Sequence, residues 1–325
     1  MLYPLIFHPI FKERVWGGRK LEQLYHKALP PAVPIGESWE ISDRPGDASV
    51  IANGPLAGKD LRWLMENHAD ELLGAASQQD GRFPLLIKIL DAREKLSLQV
   101  HPPSAVAREL GGEPKTEFWY VAAAEPGAEL YAGLKRGVTR EQFERGIRDG
   151  TVAGHFHRLS VGAGDAFFLP SGRVHAIGAG LVIFEIQQNS DTTYRVFDWN
   201  RLGLDGKPRP LHIEQSLASI DFDDFEPSRL GREYRRQREF EIRPLVDDAL
   251  FRVDAYRAGK RGSLLFSEPR MRIFGLVEGR ATITDPTNSV SVELRSGQFC
   301  LIPVSVKSSE AWLEAGATVL LVQTP

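Results

Sequence analysis

Three things this sequence has little of narrow its reading first. It holds a single cysteine, Cys300, in 325 residues. That excludes an internal disulfide and makes a reducing cytoplasm the simplest setting. Long hydrophobic runs are missing. The longest, such as "GLVIFEI", are strand-sized and far too short to span a bilayer. Charge of one sign is not in excess either: 40 Lys and Arg face 43 Asp and Glu, for a formal net charge of −3. Nothing electrostatic therefore calls for nucleic acid or an anionic membrane. The opening "MLYPLIFHPIFKERVWGG" lacks a basic stretch before its apolar residues and a small-residue cleavage site, so it reads as mature protein rather than a signal peptide.

What is present points to strands. Hydrophobic residues make up 42% of the chain, enough for a substantial core, and 30 Gly with 21 Pro supply the turns that all-β architectures need. Short segments rich in β-branched and aromatic residues recur: "SWEIS", "ASVIA", "PLLIKILDA", "KLSLQVH", "TEFWYVAAA", "DAFFLP", "GLVIFEIQ" and "TTYRVFDW". Helices are fewer. Lys59 to Leu73 carries an apolar stripe, and "TREQFERGIRDG" opens with Thr139 and Gln142 at capping-box spacing and closes at Gly150. "PSAVARELGG" places Ser104 as N-cap and Gly111 after the last turn, and "HIEQSLASIDF" is a fourth candidate. The charge-dense segment from Pro227 to Arg243 reads as a boundary or an exposed lead-in to a strand.

One stretch echoes another. "GDAFFLPSGRVHAIG" begins at Gly164 and "GQFCLIPVSVKSSEAW" at Gly297; each runs glycine, five residues, then proline. Where the first copy has Gly172 and His175, the second has Ser305 and Ser308. Two such units predict two β-barrels of one kind, of which only the first keeps polar site chemistry.

That chemistry centres on "EKLSLQVHPP". Leu96 to His101 alternates apolar and polar, which predicts a strand with Ser97, Gln99 and His101 on one face. Glu117 lies in a second strand and His175 after the proline turn of a third. Gln99, His101, Glu117 and His175 together make a candidate metal set, because imidazole and carboxylate suit a borderline divalent ion. His155 and His157 also sit two apart but have no carboxylate nearby, and are expected to face solvent. Trp16 beside Gly17 and Gly18 can close one wall of a cavity, and Glu37 can line it. Cys300 is expected to be buried and inert.

The pattern filled by Gly164, Pro170, Gly172 and His175 resembles the second motif of the cupin superfamily, whose members are double-sheet jelly rolls. Ala179 stands where that motif usually ends in asparagine. A closer resemblance is carried by "VWGGRKL" at 15–21, "IGESWEIS" at 35–42, "LLIKILDAREKLSLQVHP" at 85–102, "PKTEFWYV" at 114–121, "LPSGRVHAIG" at 169–178 and "EIQQNSDTTYRVFDWNR" at 185–201. These segments, in this order, resemble the type I mannose-6-phosphate isomerases, in the short bacterial form.

The resemblance implies a mainly β fold: two cupin-like jelly-roll barrels with a few short helices. The catalytic barrel would span 1–235, with N-terminal strands and short helical segments, and a metal-free barrel 236–325. It implies a zinc-dependent aldose–ketose isomerase, with one zinc per chain on Gln99, His101, Glu117 and His175, passing through a cis-enediolate. Arg195 matches the family's active-site arginine, and Ser97, Lys88 and Lys115 match positions lining the sugar-phosphate pocket. Asn189, in the last matching segment, joins the candidate substrate contacts. Lys115, expected to have a lowered pKa beside zinc and Arg195, and Glu185 are rival proton carriers; Lys115 or Lys88 would otherwise neutralise phosphate. The expected partner is a phosphorylated hexose, with no nucleic acid and no membrane. The expected chain is cytoplasmic, a monomer or weak homo-oligomer. Two other readings compete: a non-haem iron oxygenase, which also uses two histidines and a carboxylate, and a sugar-phosphate-binding cupin without turnover.

Overall fold

The structure, a computed structural model, describes residues 2–74 and 81–324. The chain is mainly β. Its first part contributes β1 (Ile10–Gly18), β2 (Ile35–Ile41), β3 (Asp43–Arg44), β4 (Asp47–Ala48), β5 (Leu85–Ala92), β6 (Leu98–Val100), β7 (Glu117–Ala124), β8 (Glu129–Leu134), β9 (Phe156–Ser160), β10 (Ala166–Leu169), β11 (His175–Ile177), β12 (Leu181–Gln188) and β13 (Tyr194–Phe197). The remainder contributes β14 (Arg235–Gln237), β15 (Phe240–Asp247), β16 (Arg252–Ala258), β17 (Gly262–Phe266), β18 (Arg272–Glu278), β19 (Arg280–Asp285), β20 (Val290–Arg295), β21 (Gln298–Ile302), β22 (Ser309–Leu313) and β23 (Thr318–Gln323).

Apart from the small β3–β4 ribbon, these strands form two pairs of sheets. A six-stranded sheet, β1-β2-β5-β12-β7-β10, faces a five-stranded one, β13-β6-β11-β8-β9. A second six-stranded sheet, β14-β15-β16-β23-β18-β21, faces a four-stranded one, β17-β22-β19-β20. The apolar clusters show how these layers stack. Leu90, Trp119, Leu130 and Ile177 fill the space between the first two sheets. Phe274, Ile283, Cys300 and Leu313 fill the space between the last two. The largest cluster joins Ile87, Ile89, Phe118 and Ile186 of one six-stranded sheet to Val253, Ile273, Leu301 and Leu320 of the other. The two broad sheets therefore pack back to back, and the sandwich partner of each covers its other face.

This stacking explains β5. "LLIKILDA" is buried along its whole length. Ile87 and Ile89 point into the back-to-back core, while Lys88 and Leu90 point into the first sandwich. A strand buried on both faces has a near-continuous apolar run, and the one charge in its middle must have a partner on the inner face.

Helix caps follow the sequence closely in one case and shift in another. Thr139 and Gln142 make both bonds of the capping box on helix Arg140–Asp149, and Gly150 ends it at φ 72°. Ser104, expected as an N-cap, is instead the first residue of a short helix, Ser104–Ala107; Pro103 holds the cap position. Proline already has the φ the cap needs and no N–H to lose there. The "KLSLQVH" strand is also shorter than its alternation predicts. Only Leu98–Val100 pair in the sheet, so Ser97 and His101 flank the strand rather than belong to it.

Candidate metal centre

The first sandwich brings three expected donors to one point. His175, at the start of β11, is directly opposite Gln99 of β6. Glu117, at the start of β7, comes from the facing sheet, and His101 follows β6 by one residue. His101 Nε2 lies 3.1 Å from Glu117 Oε1, and His175 Nε2 lies 3.7 Å from Glu117 Oε2. Gln99 Nε2 is 3.2 Å from His175 Nε2. Among the described residues, the donor atoms of His101, Glu117 and His175 all fall within 4.8 Å of one another.

The protonation of this cluster suits a cation. His101 Nδ1 donates to the Thr192 carbonyl at 2.8 Å, and His175 Nδ1 donates to the Arg173 carbonyl at 2.9 Å. Each ring thus keeps its proton on the outer nitrogen and aims an Nε2 lone pair inward. Burial and the charge of Lys115 push His101 down to about 3 against the pull of Glu117. Burial likewise lowers His175. Burial works against the Glu117 carboxylate, but Lys115, His101 and His175 outweigh it and hold it well below the ordinary range. His101 and Glu117 are each 1% exposed, yet His101 Nε2 and Glu117 Oε2 have no hydrogen-bond donor, and Glu117 Oε1 has only the Lys115 ammonium at 3.0 Å. Buried acceptors without donors are costly, and a metal ion is the group that would satisfy all of them. Gln99 offers a fourth donor once its amide turns Oε1 inward, a choice its 3.4 Å contact from Ser97 Oγ leaves open.

A cavity of about 550 Å³ opens beside this cluster. Gln99, Ser97, Lys115 and Arg195 line it, as do Lys88, Glu185, Glu37 and Trp16. Register explains the grouping on the six-stranded sheet. Glu185 of β12 stands opposite Lys88 of β5 on one side and Trp119 of β7 on the other. Glu185 accepts from Trp119 Nε1 at 2.8 Å and lies 3.4 Å from Lys88 Nζ. Burial and the nearby Glu117 push Glu185 up to about 7. Glu37 accepts from Arg14 Nε and Trp39 Nε1, each at 2.6 Å. Burial would raise Glu37, but Lys88 and Arg14 dominate and bring it to about 2.

Some expectations differ from what the structure holds. Asn189 does not line this cavity: its Nδ2 donates to the Phe83 carbonyl at 2.8 Å, and it borders a separate depression with Arg82 and Arg108. His155 stacks on Phe143 at 6.4 Å, and neither it nor His157 reaches the cavity. Lys115 also sits among carboxylates: burial depresses its pKa, while Glu117 at 3.0 Å, with Glu185 and Asp191, shifts it upward. The "charge-dense" run also ends differently: Arg243 is 1% exposed and donates to the carbonyls of Gly231 and Gly164, each at 2.6 Å.

Sequence reasoning missed part of the lining. Arg14, Thr193, Asp191, Asp205 and Arg209 all face the cavity. Arg14 was legible in principle, since it stands two residues before Trp16 on one strand. Arg209 was not. It reaches the cavity because Asp198 grips it, accepting from its Nε and Nη2 at 2.6 Å each, and grips Arg201 as well, at 3.1 and 2.8 Å. Arg195, on β13 opposite Gln99, donates from Nη1 to the Pro210 carbonyl at 2.7 Å.

Comparison with known proteins gives a consistent picture. The family described as phosphomannose isomerase type I, catalytic domain, matches residues 5–125. A probable mannose-6-phosphate isomerase of Bacillus subtilis is 36% identical over 307 residues, covering 93% of this chain and 94% of that one. A mannose-6-phosphate isomerase of Streptococcus mutans is 36% identical over 310 residues, covering 95% of each. The crystal structure of the mannose 6-phosphate isomerase from Bacillus subtilis superposes with a TM-score of 0.88 at 29% identity, over 99% of both chains.

Proposed function

The chain belongs to the type I mannose-6-phosphate isomerase family, and from that premise we propose that it interconverts mannose 6-phosphate and fructose 6-phosphate in this cavity. His101, Glu117 and His175 would hold one zinc ion per chain, with Gln99 completing the set once its Oε1 turns inward. The observation that carries the reading is the unsatisfied, proton-free inner edge of the cluster, which lies next to a cavity of the size that small ligands occupy. Bound there, zinc supplies a Lewis acid for the negative charge that develops on the sugar's O1 and O2 as the proton moves between C1 and C2.

The chain's own groups do the rest. Arg195, beside Gln99 in register, adds a fixed positive charge to the cis-enediolate. Lys115 and Glu185 are the two groups placed to carry the proton. Lys115 stays charged beside Glu117, and the Glu185 carboxyl titrates near neutrality. Ser97 lines the cavity beside the Gln99 amide, Lys88 balances Glu37 and Glu185, and the Trp16 indole walls the cavity. Asn189 acts only indirectly in this reading, by anchoring the chain near Phe83. The two sandwiches are two cupin-like barrels, 1–235 catalytic and 236–325 without metal. The protein works in the cytoplasm as a monomer or weak homo-oligomer. Among the described residues no helix is long and apolar enough to cross a membrane.

The test is metal content together with aldose–ketose exchange, before and after chelation. Zinc near one per chain, loss of exchange on chelation and recovery on adding zinc back are the expected results. His101→Ala should lose both metal and turnover; a metal-free His101→Ala protein with full activity sinks the reading.

A further inference from the structure

We infer that Arg173, gripped by Asp224, is a positioning residue of the metal centre: it fixes the backbone carbonyl that keeps the His175 ring turned with Nε2 into the cluster, and so sets how tightly the cluster holds a metal ion. The inference rests on the metal reading of His101, Glu117 and His175, and not on the identity of the sugar.

The turn between β10 and β11 is already closed by its backbone. The Arg173 amide donates to the Pro170 carbonyl at 3.1 Å, the Gly172 amide to the His101 carbonyl at 2.8 Å, and the Asp221 amide to the Gly172 carbonyl at 2.9 Å. The Arg173 side chain is therefore not needed to form the turn, and its contribution is more local. Its Nη1 donates back to the Phe168 carbonyl of β10 at 2.7 Å, and Asp224 accepts from its Nε and Nη2 at 2.7 Å each. A bidentate fork of this kind fixes direction as well as charge. Asp224 is itself tied down, because its carbonyl accepts from the Leu134 amide of β8 at 2.9 Å. On the other flank, the Gly133 amide donates to the Val174 carbonyl at 2.8 Å. With the amide before it, the carbonyl after it and its own side chain all held, the Arg173 carbonyl stays in line with His175 Nδ1, 2.9 Å away. A metal-ligating histidine depends on such an acceptor, which keeps the ring proton on the outer nitrogen and the inner one free.

His101 is supported differently. Its Nδ1 partner, the Thr192 carbonyl at 2.8 Å, belongs to a loop held by neutral bonds. There the Thr192 amide donates to Ser190 Oγ at 3.2 Å, and Thr192 Oγ1 accepts from the Glu113 amide at 3.0 Å. Opening the Arg173–Asp224 fork should therefore act on one imidazole and spare the other. A control stands on the same five-stranded sheet. Arg158 of β9 donates to Glu129 of β8 at 2.6 Å, an ion pair of the same chemistry with no bond to either histidine.

The experiment has two arms, both without substrate. Competition with a chromophoric chelator gives the zinc affinity of the full chain. Arg173→Ala should weaken zinc by about 10–100-fold, the scale of losing a group that orients a metal ligand, and Arg158→Ala should leave it unchanged. Nitrogen NMR of isotope-labelled histidine rings in the metal-free protein reads the tautomers. Both His101 and His175 should carry the proton on Nδ1 in the parent; in Arg173→Ala, His175 alone should become a mixture of tautomers. If Arg173→Ala does not fold, Asp224→Asn decides. It keeps the shape of the acceptor while weakening the fork, and the same two changes are expected at smaller size. Unchanged zinc affinity, or a His175 tautomer that stays fixed, overturns the inference. So does an equal disturbance of both histidines, which would make Arg173 a general support of the turn. A parent protein that takes up no zinc sinks the metal reading and this inference with it; a parent that binds zinc, with neither arm moved by the variants, sinks this one alone.

Discussion

In the first six-stranded sheet Glu117 lies between Leu169 and Gln187; in the second, Arg272 lies between Ile302 and Gln323. Leu169 and Ile302 each precede the proline of a turn, Pro170 and Pro303, so the two positions correspond. The strand orders of the two broad sheets match in the same sense, from β1 and β14 at one edge to β10 and β21 at the other. Other positions pair the same way. Lys88, opposite Glu185, has Asp254, opposite Leu321, as its counterpart; Glu37, opposite Leu90, has Ile242, opposite Tyr256. His175 has Ser308, and the sequence holds no histidine beyond His212.

The frame is thus used twice, and the difference lies in the sign of one buried charge. Where the first sandwich offers a carboxylate with an unsatisfied oxygen, the second inserts a guanidinium. The Nη atoms of Arg272 donate to the carbonyls of Arg270 and Glu268 at 3.0 Å, and its guanidinium lies 4.8 Å from the Phe266 ring centre. The second sandwich thus closes that position with a permanent cation held by backbone carbonyls and an aromatic face.

The strongest way to break this contrast is to move the second sandwich's residue into the first. Glu117→Arg should abolish metal binding and lower activity by about 10³-fold or more, the scale of several kcal/mol of lost charge stabilisation. Metal analysis and initial rates on the same preparation check it. The reverse exchange comes next. Arg272→Glu buries an unpaired carboxylate and should cost roughly 3 kcal/mol of stability in denaturant unfolding, while metal content stays that of the parent protein. Arg272→Met should cost clearly less, because it leaves no buried charge behind. A gain of metal in Arg272→Glu would mean that the frame alone, without histidines, can hold an ion.

The smallest effect separates the halves by pH. The Glu37 carboxylate is about 2 in the folded protein, below its ordinary value, so its contribution is complete above about 4.5 and is lost as pH falls towards 2. The loss is at most about 3 kcal/mol, and reaches that only at the acid end of that window. Ile242, its counterpart, has no charge to lose. Hydrogen exchange at pH 3 should therefore show β2 and β5 losing protection before β15 and β16; equal loss would remove Glu37 from the argument.

Much of this was legible in the sequence, for a physical reason. Capping boxes, period-two strands and proline turns are local devices, and Thr139, Gln142 and Gly150 behave as their spacing predicts. That Gln99 and His175 would meet was legible because strand alternation and the turn after Pro170 fix where they stand, directly opposite each other. The missed features depend on contacts distant in sequence. Arg209 faces the cavity only because Asp198 holds it. Arg243 reads as surface charge until the carbonyls of Gly164 and Gly231 are seen to enclose it. The back-to-back core was hidden as well, because a strand such as β5 buried on both faces carries no sign of which face meets which neighbour.

Leu5 and Leu301 exchange backbone hydrogen bonds at 2.8 and 2.9 Å, and Leu2, Tyr3 and Phe7 lie in the core shared by the two broad sheets. During synthesis the leader of this chain must wait for its partner strand. At about 5–20 residues per second, the ribosome takes tens of seconds to deliver it. Until then the growing polypeptide carries a broad greasy surface with no cover of its own, which makes the nascent enzyme a customer for chaperones for much of its translation.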